Sequence, residues 1–124
     1  MKHCILLLED NDLIRDNTIE ILELSGYEVV AAENGVKGIE LLQSTKPDLI
    51  LCDILMPQMD GYDFFTITRK QDLFSSIPFI FLTAYSEKKD VEKALEMGAR
   101  DYIIKPFDAD QLIQTVEKYL NGRT

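Results

Sequence analysis

Apolar residues in this chain fall into short continuous runs, separated by longer stretches in which they recur every three or four positions. The runs are Cys4 to Leu8, Tyr27 to Ala32, Asp48 to Cys52, Pro78 to Leu82 and Tyr102 to Ile104, and their length and composition predict strands. Between them, helical spacing is carried by Ile14, Thr18, Ile21 and Leu22, then by Val36, Ile39 and Leu42, then by Phe64, Phe65, Ile67 and Thr68. A fourth helix is predicted around Val91, Ala94 and Leu95, and a fifth around Leu112, Ile113, Val116 and Leu120. Strands alternating with helices in this way imply an α/β domain, a parallel sheet covered on both faces. The runs Ile5 to Leu8, Leu49 to Cys52 and Phe79 to Leu82 are apolar at every position, as strands buried on both faces must be, and belong at the centre. Glu28 charges the second run, Glu33 follows it and Arg100-Asp101 lead into the last, which places those two at the edges.

Punctuation agrees with this division. Asn34, Ser86 and Asp108 stand where a side-chain oxygen can cap a helix start, and Asp108 with Gln111 has capping-box spacing. Gly26 and Gly98 follow helical stretches, where a left-handed residue ends the last turn. Asp60 and Gly61 read as a cap and a flexible position opening the third helix.

Composition bounds the answer. The 124 residues, 46% of them hydrophobic, fit one domain over residues 1–124 with a core large enough to fold unaided. Thirteen Lys and Arg against 22 Asp and Glu give a formal charge of −9, which a phosphate backbone or an anionic lipid surface would repel. No direct nucleic-acid or membrane partner is expected. No apolar run approaches the ~18 residues of a membrane span. The opening Met1-Lys2-His3-Cys4 runs into an apolar stretch cut short by Glu9-Asp10, without a signal-peptide cleavage site. Cys4 and Cys52 both lie in apolar runs and read as small buried hydrophobes, His3 reads as a surface residue, and a reduced, cytoplasmic chain is the simplest expectation.

The chemistry stands at the strand ends. Leu8 is followed by Glu9-Asp10, Cys52 by Asp53, Leu82 by Thr83 and Ile104 by Lys105. In an open parallel sheet these ends share one rim, where the ligand crevice forms. Three carboxylates gathered there repel one another unless a cation lies between them, and a hard divalent ion such as Mg²⁺ suits oxygen ligands. A metal on carboxylates beside one Lys and one Thr is a set for handling phosphoryl oxygens. With no His or Cys to act as an activated nucleophile, a carboxylate is the candidate to accept a phosphoryl group.

At this point the sequence resembles the receiver domain of two-component response regulators. The resemblance runs through Ile5-Leu6-Leu7-Leu8-Glu9-Asp10, Asp48-Leu49-Ile50-Leu51-Cys52-Asp53, Met56-Pro57-Gln58-Met59-Asp60-Gly61, Phe81-Leu82-Thr83-Ala84 and Gly98-Ala99-Arg100-Asp101-Tyr102-Ile103-Ile104-Lys105-Pro106-Phe107. It implies strand order 2-1-3-4-5 and Asp53 as acceptor of a phosphoryl group from a histidine kinase or histidine phosphotransferase. Asp10, Asp53 and the backbone carbonyl of Leu55 match the Mg²⁺ ligands, with Glu9 as the acidic neighbour acting through water; Glu in place of the commoner Asp is a departure. Lys105 would pair with the phosphoryl group, across a Lys105–Pro106 peptide that is cis in relatives. Thr83 would turn toward a phosphoryl oxygen and Tyr102 would swing into the space it leaves, carrying the change to the face of the fourth helix, fifth strand and fifth helix. That face would meet a downstream protein or effector domain, or a second copy in a phosphorylation-dependent homodimer. Ile14 and Phe107 match positions where relatives meet their phosphoryl donor.

Blander readings stand beside these. Asp53 could cap a helix, but Pro57 delays any helix start and Asp10 and Lys105 end neighbouring strands. Thr83 could bond local backbone, Tyr102 could be a half-buried edge aromatic, and Ile14 and Phe107 could simply pack. The charged stretch from Glu87 to Lys93 reads as a solvated helix face. Leu55 and Tyr85, where relatives carry groups that guide water to the acyl phosphate, lead to the expectation of slow self-hydrolysis. An aspartyl phosphohydrolase would need an acid where Leu55 stands; a flavin site would need a phosphate loop where Glu9-Asp10-Asn11-Asp12 stand. A degenerate receiver serving only as a docking module is the remaining alternative. Asn121-Gly122-Arg123-Thr124 would suit a linker as well as a terminus.

Overall fold

The computed structural model describes residues 2–84 and 88–120. Among these, β1 (Cys4–Leu8), β2 (Glu28–Ala32), β3 (Leu49–Asp53), β4 (Phe79–Thr83) and β5 (Asp101–Ile104) alternate with α1 (Asp12–Leu24), α2 (Gly35–Thr45), α3 (Gly61–Arg69), α4 (Lys88–Glu96) and α5 (Ala109–Leu120). Every pairing is parallel and the order is β2-β1-β3-β4-β5, so the three all-apolar strands are central and the two charged ones are the edges.

Side-chain alternation divides the core into two layers. Ile5, Leu7, Leu49, Leu51, Ile80, Leu82 and Ile103 face α1 and α5 through Leu22, Leu112 and Val116. Leu6, Leu8, Ile50, Cys52, Phe79 and Phe81 face the other way, onto Leu42 of α2, Phe64 and Phe65 of α3 and Ala94 of α4. Phe65 meets Phe79 edge-on with ring centroids 4.8 Å apart. Arg69 lies over the Phe65 ring and donates to the carbonyls of Phe74 and Ile77, tying the α3–β4 connection to this layer.

The helix boundaries follow local chemistry. Asn34 accepts from the Lys37 amide, and Asp108 and Gln111 exchange two hydrogen bonds in a capping box at α5. Gly26 and Gly98 take φ of +96° and +108° after α1 and α4. Some expectations change. Val36 is exposed on α2, since its position faces outward when Ile39 and Leu42 face in. Cys4 and His3 are both half-buried at the start of β1. The proposed cap Ser86, Tyr85, Glu87 and the stretch 121–124 lie outside the described residues.

Candidate functional site

Parallel pairing brings the carboxyl ends of the strands to one rim. Leu8 pairs with Cys52, Asp53 with Leu82 and Thr83 with Ile104, so Glu9, Asp53, Thr83 and Lys105 stand along it in adjacent strands. Glu9 and Asp53 are buried and Asp10 is exposed, and carboxylate oxygens of all three lie within 4.8 Å of one another. This oxygen-only set, open to solvent on the Asp10 side, fits a hard divalent cation such as Mg²⁺.

Lys105 enters the cluster from the opposite edge. Its ammonium donates to Glu9 Oε1 and lies 3.2 Å from Asp53 Oδ2. The Lys105 amide donates to the Thr83 carbonyl at 2.8 Å, and the Lys105–Pro106 peptide is cis, as the resemblance implies. Glu9 is held at every polar group: its amide donates to the Ala32 carbonyl, its Oε2 accepts from the Asn11 amide and its own carbonyl accepts from Arg15 Nη1. Burial is the main cause that pushes the Asp53 carboxyl up to about 7; Lys105 works against the rise and Glu9 adds to it. Burial, with Asp53 next to it, pushes the Cys52 thiol well up, so Cys52 stays a protonated core residue.

The loop after β3 is shaped to leave Asp53 at the rim. The Ile54 amide continues the ladder to the Leu82 carbonyl, Gln58 turns the chain at φ 69°, and Asp60 caps α3 in a capping box with Asp63. Leu55, two residues past Asp53, turns its side chain outward and is 56% exposed. Gly61 is a close-approach residue and not a flexible one: a Cβ there would lie 2.4 Å from the Asp53 carbonyl oxygen and 2.8 Å from Ile54 Cα.

Thr83 is buried at the end of β4. By strand alternation it shares a face with Phe81, and the register sets Phe81 opposite Tyr102. Tyr102 is half-buried against that layer, diagonal to Thr83. Ile14 and Phe107 come together with Leu13, Thr18 and Pro106 around a hollow of about 720 Å³ that also reaches Lys105.

Sequence reasoning missed three supports of the site. Asn11 caps α1, accepting from the Ile14 amide, whereas in the sequence it stands out only as part of a phosphate-repelling run. Its place before an apolar-periodic stretch was the available signal. Arg15 reaches back from α1 to the Glu9 carbonyl. The steric need for Gly61 had no sequence signal beyond the glycine itself.

Comparison with known proteins agrees with this geometry. The family model for the response regulator receiver domain matches residues 5–117. The chain is 38% identical over 122 residues to the chemotaxis protein CheY of Bacillus subtilis, covering 98% of this chain and all of that one. It is 37% identical over 121 residues to the transcriptional regulatory protein CrdR of Helicobacter pylori, covering 98% of this chain but only 56% of CrdR. Among solved structures, the receiver domain of the sensor histidine kinase PA1611 from Pseudomonas aeruginosa, with a magnesium ion coordinated in its active-site cleft, superposes with a TM-score of 0.88 at 30% identity over 97% of this chain and 98% of that one. The fold and rim define a doubly wound parallel α/β domain with an acidic crevice at its strand ends. The chain belongs to the response regulator receiver domain family of two-component systems, whose members are signalling domains and not turnover enzymes. No described helix is long and apolar enough to cross a membrane.

Proposed function

We propose that this domain accepts a phosphoryl group on Asp53 and uses it to change a partner-binding face. The observation that carries this reading is the buried Asp53 carboxylate, 3.2 Å from Lys105 Nζ and gathered with Glu9 and Asp10 at one rim. Asp10, Asp53 and the Leu55 carbonyl would hold Mg²⁺, with Glu9 beside them, and the ion when bound supplies positive charge to phosphoryl oxygens. The donor is a phosphohistidine on a histidine kinase or histidine phosphotransferase. An Asp53 oxygen attacks phosphorus, the N–P bond breaks as the O–P bond forms, and the imidazole leaves. The Lys105 ammonium then pairs with the phosphoryl oxygens, and the Thr83 hydroxyl donates to one of them.

The donor's seat is the hollow between Ile14 and Phe107, which opens beside Lys105. The output runs through Thr83 and Tyr102 to the α4–β5–α5 face, where a downstream protein, an effector domain or a second phosphorylated copy would bind. The setting is cytoplasmic. Incubation with Mg²⁺ and acetyl phosphate, or with beryllofluoride, tests the core of this reading: a mass or spectral change is expected in the native protein and abolished by Asp53→Asn. No change in the native protein would leave a docking module in its place.

A further inference from the structure

Arg15 lies outside the residues proposed to hold the metal or phosphoryl group, yet its guanidinium is directed at the acidic rim. Nη1 donates to the Glu9 backbone carbonyl at 2.9 Å, and Nη2 reaches Asp12 Oδ1 at 2.6 Å. The Asp12 side chain is 86% exposed, so that half of the fork contributes little; the Arg15 side chain is only 16% exposed, and its inner half is the specific one.

The Glu9 carbonyl belongs to the peptide that joins Glu9 to Asp10. That unit is planar, so a hydrogen bond to its oxygen also fixes the nitrogen and Cα from which the Asp10 carboxylate hangs. On the other side, the Glu9 amide is fixed to the Ala32 carbonyl at 3.0 Å. Asp10 is exposed, without the packing that holds Glu9 and Asp53, so its direction depends on this peptide. Arg15 is in turn rigidly based, since its own amide makes a first-turn bond of α1 to Asn11 O at 2.9 Å.

We infer that Arg15 is a positioning residue for the cation site: it clamps the Glu9–Asp10 peptide so that Asp10 meets Asp53 across the cleft. This rests on the reading of Glu9, Asp10 and Asp53 as a Mg²⁺ site. Charge and geometry here predict opposite signs. As a nearby positive charge, Arg15 would weaken cation binding, and its removal would tighten it. As a clamp, its removal frees Asp10 and weakens binding, by roughly tenfold or more, the usual effect of losing an outer support of a metal ligand.

The test titrates Mg²⁺ into the native protein, Arg15→Met and Arg15→Lys by calorimetry, with thermal unfolding recorded in chelator. Arg15→Met, which keeps the stem but no donor, should weaken Mg²⁺ binding roughly tenfold or more in protein that is still folded. Arg15→Lys, keeping one donor able to reach the carbonyl, should recover part of that loss. Unchanged or tighter binding in Arg15→Met overturns the inference, as does a lowered Tm with an unaltered Kd, which would mark a purely structural role. Failure of the native protein to bind Mg²⁺ is a different result, and it would remove the proposed site itself.

Discussion

Lys105 Nζ lies 3.2 Å from Asp53 Oδ2 while donating to Glu9 Oε1, so one ammonium from the β5 end joins carboxylates from the β1 and β3 ends. It stands where positive charge is needed most, between two buried acids. Lys105→Met would leave Glu9, only 1% exposed, without its cation, and breaking a buried pair in this way costs about 3 kcal/mol. Mg²⁺ bound to the same carboxylates should offset that cost. Urea unfolding is therefore expected to show a destabilised variant in chelator, and Mg²⁺ should stabilise the variant more than the native protein. Equal stabilisation of both would show that ammonium and metal do not share these oxygens.

Asp53 makes stability depend on pH in a defined direction. Its carboxyl is raised from 3.8 to about 7 in the fold, so the folded state holds this proton more tightly than the unfolded chain does. The corresponding stability is complete below the unfolded value, declines as pH rises and is gone above the folded value. Asp53→Asn removes the charge at nearly constant shape. In chelator it should match the native protein near about pH 4 and exceed it near about pH 8. A stability difference that stays flat between those values would mean that Asp53 does not carry the shift.

Gly61 supports Asp53 from behind. Its Cα approaches the Asp53 carbonyl so closely that an added methyl would meet backbone at 2.4 and 2.8 Å, and no rotamer change relieves a backbone clash. Gly61→Ala is expected to cost roughly 1–3 kcal/mol and to slow acetyl phosphate labelling by displacing Asp53. Gly26→Ala is the control: that residue has open space but φ +96°, so stability should fall while labelling stays unchanged. Labelling equally affected in both variants would point to general loss of fold.

Most of this architecture is legible in the sequence because it rests on local signals. Fully apolar strands declare burial on both faces, and the residue after each one is placed at the rim by parallel pairing alone, which is why Glu9, Asp53, Thr83 and Lys105 could be named as a group. The supports were not legible, because each depends on a distance between chain segments that spacing does not encode. Arg15 carries no signal in the sequence that ties it to the site, and only the structure sets it against the β1 end. Gly61 reads as flexible until the Asp53 carbonyl is seen against it. The direct Glu9–Lys105 bond joins residues 96 positions apart.

On the proposed function, Leu55 bears on how long a phosphoryl group on Asp53 would last. Two residues past Asp53, its exposed aliphatic side chain offers no group to orient an attacking water. The phosphorylated protein in Mg²⁺ should persist well beyond seconds, and Leu55→Asn should shorten that lifetime. Decay of the native phosphoprotein within seconds, followed by mass spectrometry, would contradict this role.

Thr83 and Tyr102 test the output. They occupy one face of the sheet, diagonal across the β4–β5 ladder, with Phe81 opposite Tyr102 and the Tyr62 ring 5.4 Å from Phe81. A Thr83 side chain drawn toward a phosphoryl group leaves room beside the half-buried Tyr102 ring, and in a close-packed layer such room is filled by the nearest group able to rotate. Lys93 of α4 lies over the Tyr62 ring at 4.2 Å, so a change in this layer reaches α4 as well as β5. Thr83→Ala should therefore still accept the phosphoryl group, since Asp53 and Lys105 are intact, but lose the shift of Tyr102 and α4 resonances that beryllofluoride induces in the native protein. Tyr102→Leu should keep the response at Thr83 and lose it on the α4–β5–α5 face. If the α4 response survives both substitutions in NMR spectra, the signal leaves the site by another route.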